Sequence, residues 1–259
     1  TFYNDTILKK IKKQNPENKT QDQPVFDFEL EIKNKTQHLS ATHLLIAIGR
    51  APNTDQLDLK KANIKTDPTG AVLTDQRLRT SNRKVFAAGD AIGPPQFTHL
   101  ANYHAGIIIR NILFRIPAKI SLNALPWVTY CDPELAQLGM SEQAAINQFG
   151  TKQLNILRWA MADNDRAVGE HLKEGFIKVI CLKNGRVLGV TIVGHHAGEL
   201  LGPWFDPVAN RRKITPITSA IVPYPTLNEI SKRVASSFFT PKLFSERTKS
   251  LVRLLLKLP

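Results

Sequence analysis

Tyr224 stands between Pro223 and Pro225 in the stretch IVPYPTLNEI, and Glu229 follows it by five positions. A phenol and a carboxylate at short range can hold or pass a proton, and flanking prolines restrict where the phenol points. A local explanation is equally available. Pro225 pushes Tyr224 toward extended backbone, and Thr226 with Glu229 has the spacing of a capping box opening the helix EISKRVASSFF. Ionising a phenol of pKa about 10 at neutral pH costs roughly 4 kcal/mol, so Tyr224 suits hydrogen-bond donation better than base catalysis.

A second set of candidates ends two apolar stretches, LLIAIGRAPN and VFAAGDAIGPPQFTHLA. In open α/β sheets ligands bind beyond the carboxyl ends of strands. Gly49 and Gly89 would admit close backbone approach, and the Asp90 carboxylate accepts hydrogen bonds from hydroxyls. A helix capped near Thr98 would aim free amides and its positive dipole end at electron-rich ligand atoms. Alone, Asp90 is equally well a turn aspartate, and His99 and His104 are equally well capping or solvated histidines.

The elements that must position these residues fall into segments. Residues 9–24 (KKIKKQNPENKTQDQP) read as an exposed loop. FDFELEIK alternates as a strand does, NKT supplies a turn, and HLLIAI and KVFAAGD read as short strands. Leu100, Tyr103 and Ile107 recur at helical spacing after Pro94–Pro95. From about Asn123 the character changes: WVTY, LNIL, GFIKVI and RVLGVTIV read as strands, with a hairpin turn at Lys183-Asn184-Gly185-Arg186. Helices are expected after Ser141 and Glu199, and two more further on. Strands and helices grouped in this way predict an α+β unit from residues 120–125 onward.

Composition sets outer bounds. A chain of 259 residues, 42% hydrophobic and 22% charged, has the make-up of a globular protein of one or two domains. It contains no run of about 18 apolar residues and no signal-peptide pattern. Two widely separated cysteines, Cys131 and Cys181, fit a reducing, cytoplasmic setting. The first residue is Thr1, which suggests a fragment or a processed product. The net charge of +13 is scattered, unlike the focused patch of a nucleic-acid binder.

Taken in order, AIGRAPN, KVFAAGDAI…FTHLA, YCDPELAQLGMSE, DRAVGEHLKEGFIKV, GHHAGEL and PYPTLNE resemble the class I flavin-dependent pyridine nucleotide–disulfide oxidoreductases, over roughly residues 38–240. Within that family the stretch is most similar to the mercuric reductase and dihydrolipoamide dehydrogenase branch. The resemblance implies an oxidoreductase using FAD and NAD(P)H, with an α/β part followed by an α+β part. Residues 1–48 would end the NAD(P)-binding domain, 49–123 would be the returning segment of the FAD domain, and 124–259 the interface domain with an antiparallel sheet. It implies cofactor contacts at Gly49, Arg50, Gly89, Asp90, Thr98 and His99. It also implies a homodimer in which Tyr224 and Glu229 reach the partner subunit's active site.

The position of Tyr224 is a histidine in most of the family and tends to be tyrosine in mercuric reductases, which puts the usual histidine mechanism in doubt. The sequence contains no G-x-G-x-x-G and no C-x-x-x-x-C, and it ends LVRLLLKLP instead of in a cysteine pair. The fragment alone is therefore expected to be inactive and to hold FAD weakly, and the electron acceptor, a small molecule or metal ion, is left open. An alternative is a non-catalytic dimerisation or membrane-surface module. Residues 241–259 form a basic amphipathic pattern, which ordinarily packs on its own domain or on a dimer mate.

Overall fold

The computed structural model describes residues 3–14 and 25–257. It divides into two compact units, Thr1–Ala51 and Pro52–Pro259. The first is an antiparallel meander of β1 (Thr6–Gln14), β2 (Val25–Ile32) and β3 (Lys35–Ala41), in that order. Lys33 (φ 50°) and Asn34 (φ 62°) both take left-handed backbone, as a two-residue hairpin loop requires. The expected turn at NKT is present but one residue earlier: Asn34 lies in it with Lys33, while Lys35 and Thr36 already belong to β3. The expected loop over residues 9–24 is corrected at its start, because residues 9–14 belong to β1. Their lysines hid the strand: an edge strand takes its register from backbone pairing and is protected from stray pairing by charge. Residues 15–24 lie outside the described residues.

HLLIAI forms no strand. Its Leu45, Ile46 and Ile48 are exposed, since a buried strand needs neighbours to pair its backbone and cover its side chains. KVFAAGD fares similarly. It makes one isolated bridge, Arg79 to Phe86, and passes into a 3₁₀ turn at Gly89–Ile92. Helix α1 (Thr98–Ile112) follows. Leu100 and Ile107 are buried as their spacing predicted, and Ile107 packs with Leu78 and Ala118. Thr98 is the first helical residue, not the cap; Phe97 holds that position without a side-chain bond.

The remainder is built on a five-stranded antiparallel sheet in the order β4-β5-β8-β7-β6, the α+β unit expected. In chain order come β4 (Pro126–Thr129), β5 (Glu134–Gly139), α2 (Glu142–Phe149), β6 (Leu154–Ala160), α3 (Asp165–Gly169), β7 (Phe176–Leu182) and β8 (Val187–Gly194). After a 3₁₀ segment at Glu199–Trp204 come α4 (Phe205–Ala209), α5 (Thr215–Ser219), α6 (Glu229–Ser237), α7 (Thr240–Leu243) and α8 (Glu246–Leu255). Ser141 caps α2 by accepting from the Ala144 amide. Gly185 (φ 88°) closes the expected β7–β8 hairpin.

The sheet has a helix on each face. Ile177, Val179, Cys181, Val190 and Ile192 face α6 and the Trp204 side chain, forming the main core. Ile180 and Leu188 join Ala145 of α2 in a smaller cluster on the other face. The Trp204 indole donates to Ser231 Oγ of α6 at 3.1 Å, so this buried ring is polar-satisfied as well as packed. Cys181 is fully buried, and desolvation raises its thiol pKa to about 12. Cys131 is exposed.

Candidate functional site

Tyr224 is set by a corner where three segments meet. Asn164, just before α3, is 3% exposed. Its Oδ1 accepts from the Ala167 amide (3.0 Å) and caps α3, while its Nδ2 donates to Thr226 O (3.1 Å) and Leu227 O (3.3 Å). One side chain therefore ties the start of α3 to the turn that leads into α6. The next residue, Asp165, accepts a 2.9 Å hydrogen bond from the Tyr224 hydroxyl. The Tyr224 ring stays 68% exposed.

The predicted capping box is not made. Thr226 Oγ1 donates to Pro223 O (2.9 Å), tightening the proline turn instead of capping the helix. Glu229 is the first residue of α6, not the third. One carboxylate oxygen of Glu229 accepts from both Nη2 (2.8 Å) and Nε (3.0 Å) of Arg233, one helical turn on. Such i,i+4 pairing at a helix N-terminus satisfies both the side chain and the dipole. Glu229 is mostly buried, its side chain 14% exposed.

The phenol's pKa is raised above the ordinary tyrosine value, chiefly by the hydrogen bond to Asp165 and then by its charge, with Glu229 adding and Arg233 opposing. Tyr224 is thus held protonated and able to donate. Sequence reasoning placed Glu229 beside Tyr224 and overlooked Asp165 and Asn164. The signal was present in DNDRA, where Asn before a short helix has the form of an N-cap, but its reach across 59 residues to Tyr224 is a tertiary fact.

The second candidate group gathers at the start of α1. Gly89 (φ 61°) packs so closely there that a Cβ would meet Ala101 Cβ at 2.8 Å, and its amide donates to His104 Nδ1 at 3.1 Å. His104 is buried, and desolvation lowers its pKa. It anchors the turn as a neutral ring. Asp90 is exposed beside this contact, as are Thr98 and His99. The amides of a first helical turn have no intrahelical acceptor, so this end offers donors next to a carboxylate. The His99 ring stacks on Phe97 at 5.1 Å and donates through Nε2 to Pro126 O at 2.9 Å. A cavity of about 410 Å³ opens beside His99 and Tyr103, lined also by Leu122, Leu125 and Ala209. Gly49 (φ 122°) and Arg50 belong to the first unit, where a Cβ on Gly49 would meet open space.

Two family models match the chain: pyridine nucleotide-disulphide oxidoreductase over residues 5–105, and the dimerisation domain of that family over residues 125–235. The chain belongs to the pyridine nucleotide–disulphide oxidoreductase family. Among curated relatives, a mercuric reductase of Staphylococcus aureus is 33% identical over 210 residues, covering 81% of this chain and 38% of the relative. A dihydrolipoyl dehydrogenase of Bacillus subtilis is 32% identical over 208 residues, covering 79% and 43%. The chain thus spans about two fifths of the length of the oxidoreductases it matches.

Solved members of the fold agree. LpdA of Mycobacterium tuberculosis superposes with a TM-score of 0.75 at 24% identity, covering 82% of this chain and 45% of that one. The Cu(II) complex of the HOCl-induced flavoprotein disulfide reductase RclA of Escherichia coli gives 0.76 at 23%, covering 89% and 50%. The family uses FAD and NAD(P)H. At the α1 end the chemistry fits a flavin nucleotide: exposed amides for the electron-rich ring edge and a carboxylate for sugar-alcohol hydroxyls.

Proposed function

We propose that the chain is the C-terminal portion of an FAD- and NAD(P)H-dependent oxidoreductase that works as a homodimer. Residues 1–48 end its NAD(P)-binding domain, 49–123 return to its FAD domain, and 124–259 form the dimer interface. Asp90 would accept from hydroxyls of the FAD ribityl chain, the amides of Thr98 and His99 would bond the flavin ring, and Gly89 would admit its close approach; Gly49 and Arg50, in the first unit, are proposed as cofactor contacts on the family resemblance alone. Bound FAD supplies hydride acceptance and onward electron transfer. This chain's residues orient it and help exclude water.

Tyr224 is the residue that meets substrate, in the partner subunit's active site. The observation that carries this is an exposed phenol on a rigid proline turn, held by Asp165 as a hydrogen-bond donor. The phenol orients a thiolate, a metal-bound ligand or a substrate oxygen, and Glu229 fixes the helix behind it. The acceptor is a small molecule or a metal ion.

The test is Tyr224→Phe in the complete enzyme. Acceptor reduction by NAD(P)H should fall by tenfold or more, about the worth of one charge-assisted hydrogen bond, with an unchanged flavin spectrum. Unchanged turnover would end the role assigned to Tyr224. Light scattering on the present chain tests the interface separately, and monomer alone at high concentration would count against it.

A further inference from the structure

The dimerisation model ends at residue 235, yet two helices follow it. Ser245 caps the second of these, α8, accepting from the Thr248 amide at 3.3 Å, and Thr248 Oγ1 donates to Lys242 O of α7 at 2.8 Å. The helix is therefore held in place from its N-terminal end. Its large apolar residues are not covered: Leu251, Val252, Leu254, Leu255 and the following Leu256 are between 47% and 79% exposed, and Leu243 and Phe244 beside them are 60% and 65% exposed.

At about 100° per residue, Leu251, Val252, Leu254 and Leu255 share one side of α8. Glu246, Lys249, Ser250, Arg253 and Lys257 lie on the other, within about 60° of one direction. Between residues 240 and 257 there are five basic residues and one acidic residue, and Lys249 is paired with that acid, Glu246, at 2.7 Å. Among the described residues no helix is long and apolar enough to cross a membrane. A short helix with a leucine face, a cationic face and no span length lies in the plane of a lipid–water interface.

We propose that α8, with Leu243 and Phe244 at its root, docks this protein on an anionic lipid surface. The leucine face enters the headgroup–acyl boundary, and Arg253 and Lys257 stay level with lipid phosphates, while Arg247, which projects from the leucine side one turn before Leu251, extends its long side chain back to that level. The cationic residues of α8 decide for an anionic lipid surface, and the helix lies beyond residue 235, where the match to the dimerisation domain ends. The inference is independent of the redox chemistry.

The experiment is co-sedimentation of the full chain with phosphatidylcholine vesicles, with and without phosphatidylglycerol, at low and high salt. The chain should pellet with the anionic vesicles at low salt and be released at high salt. Arg253→Gln and Lys257→Gln should each weaken partition about fivefold. Leu254→Ser with Leu255→Ser should weaken it on the order of tenfold or more; both residues are exposed, so the fold is retained, which circular dichroism verifies. Equal sedimentation with both vesicle types, or no effect of the leucine changes, overturns the proposal. Leucine changes that turn dimer into monomer without altering vesicle binding assign the face to a second copy, and overturn it too.

Discussion

Replacing Asn164 with alanine removes three hydrogen bonds at once, and their partners set the cost. The Ala167 amide loses its cap, worth about 1 kcal/mol. Thr226 O and Leu227 O lose a donor but each keeps another, from Glu229 N (3.3 Å) and Ile230 N (3.2 Å). Each loss therefore falls at the low end of hydrogen-bond contributions, about 0.5–1 kcal/mol. The sum is about 2–3 kcal/mol, read as a lower denaturant midpoint with unchanged slope. Asn164→Asp sharpens the test. Aspartate is as good a cap, but it turns an acceptor toward two carbonyl oxygens. Near neutral pH it should cost at least as much as alanine. Those carbonyls disfavour the charged form and raise the folded-state pKa above the unfolded one. Stability relative to the parent sequence should then be recovered at low pH and lost as pH rises through the raised value. If alanine costs under about 0.5 kcal/mol, or Asn164→Asp behaves as the parent at all pH values, the tie between α3 and the Tyr224 turn is misjudged.

Asp165→Asn should bring the Tyr224 phenol back down toward the ordinary tyrosine range, since Asp165 is the main cause of its elevation. Ultraviolet titration against Tyr224→Phe isolates this group, and no change would refute the pairing. Lys178→Met should flatten the acid limb of the stability profile. Glu142 is held below its ordinary pKa foremost by the hydrogen bond from Lys178, so the pair contributes above the ordinary glutamate range and fades as pH falls through the depressed value. Gly189→Ala should cost about 3 kcal/mol or more, or prevent folding. Its Cβ would press on the backbone of Met140 beside β8, the middle strand of the five-stranded sheet, and loss of soluble protein or of its thermal transition measures this.

Local chemistry was the legible part of this sequence. Asn184-Gly185 and the asparagine of NKT, Asn34, announced hairpins because few residues accept left-handed backbone, and Ser141 announced α2 because a hydroxyl there has an amide to meet. Strand β5 went unread: Gln137 breaks its apolar run, although it is buried and accepts from Thr191 Oγ1 at 2.6 Å. LLIAI and VFAA were misread in the opposite sense: their composition is that of a sheet interior, but among the described residues they pair with no strand beyond the isolated Arg79–Phe86 bridge. At the site, spacing joined Thr226 to Glu229, but each found a nearer partner in Pro223 and Arg233. The residue that holds Tyr224 lies on another element, and only the packing of α3 against the turn reveals it.

The contrast between the two cysteines has a practical use. Cys181 is sealed between the sheet and its helices with a thiol too weakly acidic to react near neutrality, whereas Cys131 is open to solvent near the end of β4. The folded chain therefore presents one reactive thiol and the unfolded chain two. A maleimide dye or spin label would attach to the folded chain at a single natural position without any substitution. In the proposed homodimer two such labels would act as a ruler between subunits, and the appearance of a second labelling site would time the opening of the core.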